Sequence, residues 1–123
     1  MKFIVDTNFM IYIARYKIDI FNELLKFGKP EIFITENVLV ELKKMSKNKG
    51  KKGLYANTAL KIVKELGFKI IKSEFSDTDN DLVYNATKED MKICTMDKKV
   101  MEKARDKGLD MIIIRQRKYL EFA

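Results

Sequence analysis

The feature that most constrains this chain is its rhythm. Apolar runs of strand length, such as Phe3 to Val5 and Met111 to Ile114, alternate with amphipathic helical stretches. Runs this short cannot cross a membrane, and they suit strands covered on both faces by helices. Glycines and helix-stop signals fall between the segments and never inside a strong pattern. Strands are predicted over Met1 to Val5, Ile32 to Thr35, Lys69 to Ile71, Lys92 to Met96 and Met111 to Ile114. Helices are predicted over Phe9 to Tyr16, Ile18 to Phe27, Glu36 to Met45, Asp79 to Glu89 and Lys98 to Lys107. A further helix carries Ala56, Ala59, Leu60 and Val63 at helical spacing and ends at Gly67. Ser46 to Gly53 reads as a basic loop. The alternation implies one α/β domain over residues 1–123, in three α/β/α layers with a mostly parallel sheet of roughly five strands.

Composition narrows the chemistry. The chain has no histidine, which excludes imidazole bases, Ser-His-Asp and Cys-His nucleophiles and the usual histidine-bearing zinc sites. Its one cysteine, Cys94, sits mid-strand and reads as a buried, inert thiol in a reducing cytoplasm. An acid at position 6 interrupts any signal-peptide core, and no membrane segment is present, so a cytoplasmic location is expected. No glycine-rich phosphate loop points to a nucleotide cofactor. The net charge of +7 attracts polyanions, with nucleic acid the first partner to test, although lysine-rich chains also arise through heat adaptation.

Acids occur where burial is expected. Asp6 directly follows the first strand and Asp97 follows the fourth, at carboxyl ends of strands where open parallel sheets place their functional crevice. Each can equally cap the helix after it. Glu41 falls on the apolar stripe of Val38, Leu42 and Met45, with a surface pair to Lys44 as the alternative. Asp79 shares a helical face with Leu82, Val83 and Ala86. Asp81 points elsewhere; with Thr78 it resembles a capping box, so it is at most an outer ligand, and Asp77 reads as a solvated turn residue. Four carboxylates in one crevice need a cation, and an all-oxygen donor set selects Mg²⁺ or Mn²⁺. Such an ion suits phosphodiester hydrolysis, with basic surface to hold the strand.

Val5-Asp6-Thr7-Asn8, Val38 to Leu42, Asp79-Asn80-Asp81-Leu82-Val83 with Ala86, and Thr95-Met96-Asp97 together resemble a PIN domain, in order and spacing, over essentially the whole chain. The resemblance implies a first strand lying beside the fourth, a carboxylate-bound Mg²⁺ or Mn²⁺, and endonuclease activity on single-stranded RNA. It makes Asp6, Glu41, Asp79 and Asp97 the acidic tetrad, with Asn8 and Thr95 as polar supports. Members often carry adjacent acids at the third motif, whereas Asn80 here separates Asp79 from Asp81. The ending from Gly108 to Leu120 is similar to stand-alone archaeal proteins related to an rRNA-processing nuclease, which makes ribosomal RNA or its precursor the expected substrate. The toxin nucleases of toxin–antitoxin pairs share the tetrad and form the alternative branch, with an antitoxin as partner. A homodimer is compatible with either.

Two other readings compete: a non-catalytic RNA- or ribosome-binding module, and a receiver-like regulator. The full tetrad speaks against the first, and Asp-Thr-Asn in place of adjacent acids after the first strand speaks against the second. Lys47, Lys49, Lys51 and Lys52, in the basic loop after the Glu41 helix, are candidate RNA contacts or simply solvated charges. Lys98, Lys99, Arg115 and Arg117 are the next residues to consider for the same role.

Overall fold

A computed structural model describes residues 1–123. Six strands form one sheet: β1 (Lys2–Val5), β2 (Glu31–Thr35), β3 (Lys69–Ile71), β4 (Lys92–Cys94), β5 (Met111–Arg115) and β6 (Tyr119–Phe122). Their order is β3-β2-β1-β4-β5-β6. The first five run parallel, and β6 returns antiparallel beside β5. The expected pairing of first and fourth strands holds, with Ile4 opposite Ile93 and Val5 opposite Cys94.

Six helices connect the strands: α1 (Thr7–Tyr16), α2 (Ile20–Leu25), α3 (Glu36–Ser46), α4 (Lys51–Glu65), α5 (Thr78–Glu89) and α6 (Lys98–Asp106). Helices α1, α3 and α4 pack on one another, α5 packs on α6, and α2 lies against β6. The apolar runs that announced the strands are the core, with Phe3, Ile4, Val5, Ile93 and Ile112 fully buried. Cys94 is also buried, as expected, and burial with the nearby Asp6 charge pushes its thiol well above the ordinary value. No helix is long and apolar enough to cross a membrane.

Three readings of the chain need correction. The sheet has a sixth strand. Gln116 and Arg117 turn the β5–β6 hairpin in left-handed conformations, at φ 52° and 57°, without the glycine or asparagine that usually marks such a turn. The basic segment is shorter than expected, because α4 starts at Lys51 and takes Lys51 and Lys52 into its first turn. Gly53 fixes that start: a Cβ there would sit 1.9 Å from the Asn48 carbonyl oxygen, so only glycine lets the helix approach the connection. Asn57 reinforces it by donating to the Ser46 carbonyl at 3.2 Å. Finally, α5 is capped by Asp77 and not by Thr78, since the Asp77 carboxylate accepts from the Asp79 and Asn80 amides.

The chain moves from β1 to β2 on one side and later to β4 on the other, so β1 and β4 flank the point where strand order reverses. A crevice opens outside the carboxyl ends of strands at such a point.

Candidate active site

Asp6 leaves β1 at that point and is 7% exposed. Its Oδ1 accepts from the Phe9 amide at 2.8 Å, capping α1, and its Oδ2 accepts from the Thr95 hydroxyl. Asp97 caps α6 in the same manner through Oδ1, which accepts from the Lys99 and Val100 amides at 2.8 and 3.3 Å. Capping and a role in the crevice are therefore compatible: the helix start fixes each carboxylate at the rim. Thr95 ties the two together, donating to Asp6 while its oxygen accepts from the Asp97 amide at 3.0 Å.

Glu41 reaches the same crevice from α3. The surface pair with Lys44 does not form; instead Oε1 accepts from the Thr7 hydroxyl, and Oε2 from the Thr78 hydroxyl at 3.4 Å. Asp79 enters from α5 as its helical face requires, while Leu82, Val83 and Ala86 below it are buried. Asp6, Glu41, Asp79 and Asp97 all line one cavity of about 350 Å³, together with Thr7, Asn8, Thr78, Lys44 and Lys52.

The electrostatics of this cavity are unfavourable as it stands. Burial raises Asp6 to about 6 from an ordinary 3.8, with the charges of Asp97 and Asp79 pushing the same way against the Thr95 and Phe9 hydrogen bonds. Asp79 is raised too, by burial and then by Asp97, with Lys103 opposing. None of the four acids belongs to an ion pair. A hard dication matches this set in donor type and in charge. No three acids are arranged to hold one ion together in this conformation, so the match lies in donor chemistry and charge.

Asp81 proves to be a buried anchor. It is fully buried, and Oδ1 accepts from the amides of Glu74 and Phe75 at 2.6 and 3.1 Å and from the Asn85 side chain at 3.3 Å. The capping box with Thr78 is absent, and Asp81 instead draws the segment leading to Asp77 onto the start of α5. Its Oδ2 has no protein partner.

Of the four candidate lysines, Lys52 alone lines the cavity; Lys47, Lys49 and Lys51 are exposed away from it. Sequence reasoning missed Lys44, Thr7 and Thr78. Their only signal was adjacency, since Thr7 follows Asp6, Thr78 precedes Asp79, and Lys44 lies one turn beyond Glu41.

Comparison with known proteins agrees with this architecture. A family model described as "PIN like domain" matches residues 3–117. Ribonuclease VapC4 of Methanocaldococcus jannaschii is 31% identical over 98% of this chain and 95% of its own length. Ribonuclease VapC9 of Archaeoglobus fulgidus is 31% identical over 94% of this chain and 84% of its own. In fold, the PIN domain endonuclease Utp24 superposes with a TM-score of 0.83 at 23% identity, over 98% of this chain and 90% of that one. VapBC2 of Rickettsia felis, solved with a promoter DNA fragment, gives 0.66 at 21% identity, over 94% of this chain and all of that one. By its sequence relatives and the match across nearly its whole length, this chain belongs to the PIN-like domain family.

Proposed function

We propose that the protein is a divalent-metal-dependent endoribonuclease that hydrolyses phosphodiesters of single-stranded RNA. The observation carrying this reading is the convergence of Asp6, Glu41, Asp79 and Asp97 on one cavity with Lys44 and Lys52 at its rim. Those four acids would hold Mg²⁺ or Mn²⁺, which when bound supplies an activated water near neutral pH and charge stabilisation at the phosphorus. The protein's own part is positioning. Thr95 holds Asp6, Thr7 and Thr78 hold Glu41, and the helix caps hold Asp6 and Asp97, so the protein's own hydrogen bonds orient three of the four carboxylates toward the crevice. Lys44 and Lys52 set positive charge beside the acids, where a phosphodiester can be drawn in without entering the negative cavity unaided. Asn8 offers a neutral amide on the same rim for water or a phosphate oxygen.

For the cellular role, the two relatives named VapC support a toxin-type ribonuclease with an antitoxin partner. The RNA-maturation role implied by the resemblance of the Gly108 to Leu120 ending is the second reading. The activity itself is tested by incubating purified protein with labelled single-stranded RNA in Mn²⁺, in Mg²⁺ and in excess chelator. Cleavage in the metals and none in chelator is expected. Undiminished cleavage in chelator would remove the metal from the reading, and no cleavage in any condition would favour an RNA-binding module.

A further inference from the structure

We infer that the RNA strand runs from the acid cavity along helix α1, over Tyr12 and Tyr16, to the hairpin tip at Arg117; this rests on the ribonuclease reading above. The surface beside the cavity is continuous. A second cavity of about 270 Å³ shares Asn8, Met45 and Lys52 with the first and adds Tyr12 and Arg15. A third, of about 410 Å³, shares Tyr12 with the second and adds Tyr16 and Arg117. Asn8, Tyr12 and Tyr16 recur every four residues, so α1 presents them on one face at steps of about 6 Å.

The chemistry along this trough is that of a single-strand track. Tyr12 and Tyr16 lie with rings nearly parallel, 11° apart, and centroids 6.0 Å from each other. Arg15 and Arg117 stand over the Tyr16 ring at 5.2 and 5.3 Å. Neither guanidinium has a carboxylate partner, so two like charges gather around one ring. Cation–π attraction offsets part of that repulsion, and an anion between them would offset more. Arg117 reaches this position because Gln116 and Arg117 hold the left-handed turn described above, a conformation that disfavours both side chains. Aromatic faces for bases and unpaired cations for phosphates are the two elements that bind single strands without regard to sequence. A second copy of this chain, itself at +7, would bring like charge to the trough, whereas a polyanion complements it.

The test uses the full chain and a fluorescent single-stranded RNA of about twelve nucleotides, a length within the range such tracks cover. Anisotropy in Ca²⁺ gives affinity across a salt series, and cleavage in Mn²⁺ is followed in parallel. Replacing both rings, Tyr12→Leu with Tyr16→Leu, should weaken binding by about 25-fold or more, since each stacked base contributes about fivefold at the least. Tyr12→Phe with Tyr16→Phe keeps the faces and should recover most of that loss. Arg15→Gln with Arg117→Gln, at exposed positions that leave the core alone, should flatten log affinity against log salt by about 1.4. If the wild type cleaves RNA while the leucine and glutamine pairs bind it unchanged, the path is overturned and the ribonuclease reading stands. If the leucine pair does not fold, an unchanged salt slope in the glutamine pair overturns the path by itself. A wild type that neither binds nor cleaves removes both readings. Loss of a dimer in sedimentation with RNA affinity intact would make the face a contact between copies and overturn the inference.

Discussion

Two neighbouring regions of this small domain carry opposite, unneutralised charge. The cavity at the ends of β1 and β4 gathers four carboxylates without an ion pair, and the trough along α1 gathers Arg15 and Arg117 without a carboxylate. Elsewhere, Glu23 with Lys26, Glu31 with Lys69 and Arg115 with Glu121 form ion pairs. Unpaired like charges held by caps, threonines and a left-handed turn indicate geometry kept for something other than stability. The difference between the regions separates chemistry from grip. Substitutions in the cavity should abolish turnover and relieve strain, whereas substitutions in the trough should weaken binding.

The sharpest break of that comparison is at Asp6 and Asp97. Asp6→Asn or Asp97→Asn should lower RNA cleavage by at least about 10²- to 10³-fold, since each removes a preorganised charge at the reacting centre. Binding of RNA in chelator should hold or tighten, because a negative charge has left the cavity. A variant that loses affinity and keeps its turnover at saturating RNA would show that these acids grip and do not react.

The next effect is on stability and has a definite sign. Asp6 ionises at about 6 when folded against 3.8 ordinarily, so the folded chain holds that proton more tightly. The penalty for a buried carboxylate is absent below 3.8, grows as pH rises towards about 6, and is fully present above it. It amounts to at most about 3 kcal/mol at neutral pH. In chelator, denaturant midpoints of the wild type should therefore fall relative to Asp6→Asn across that window. Saturating Mn²⁺ should recover stability at pH 7 in the wild type and much less in the variant. Parallel pH profiles for the two proteins would refute the burial argument.

Asp79 and Asp81 sharpen the comparison within a single helix. Asp79→Asn should cut activity strongly and leave stability unchanged or slightly higher. Asp81→Asn should do the reverse, lowering stability by about 1–3 kcal/mol because a buried acceptor of amide hydrogen bonds is altered. Its activity per folded molecule should remain near wild type. Urea titrations and cleavage rates on the same preparations decide it, and equal activity losses at both positions would make Asp81 a ligand after all.

These two acids also mark how far the sequence could be read. Helical periodicity put Asp79 on the inward face, and strand ends located Asp6 and Asp97, because those signals are local. Asp81 was misread because its partners, Glu74 and Phe75, come from a preceding segment whose path no periodicity records. Strand β6 was missed for a similar reason. Tyr119 to Phe122 alternates as a strand should, but Gln116 and Arg117 adopt a turn that ordinarily asks for glycine or asparagine. The stacking of Tyr12 on Tyr16 was equally out of reach, since spacing of four fits ring contact and plain core packing alike.

The smallest effect distinguishes the basic residues around the cavity. Read as one loop, Lys47, Lys49, Lys51 and Lys52 would share the work, and replacing all four would remove up to roughly 3 from the salt slope at about 0.7 per phosphate contact. The fold assigns them unequal positions. Gly53 packed on the Asn48 carbonyl holds the connection in place, and the start of α4 turns Lys52 into the cavity wall while the other three stay outside it. Lys52→Ala alone should then flatten the slope by about 0.7, with Lys47→Ala, Lys49→Ala and Lys51→Ala each leaving it unchanged within error. The measurement is RNA affinity in Ca²⁺ across a salt series for the four single variants. Equal small losses at all four would mean that RNA meets a diffuse positive field, and that the boundary between cavity and trough at Lys52 is not where the strand is held.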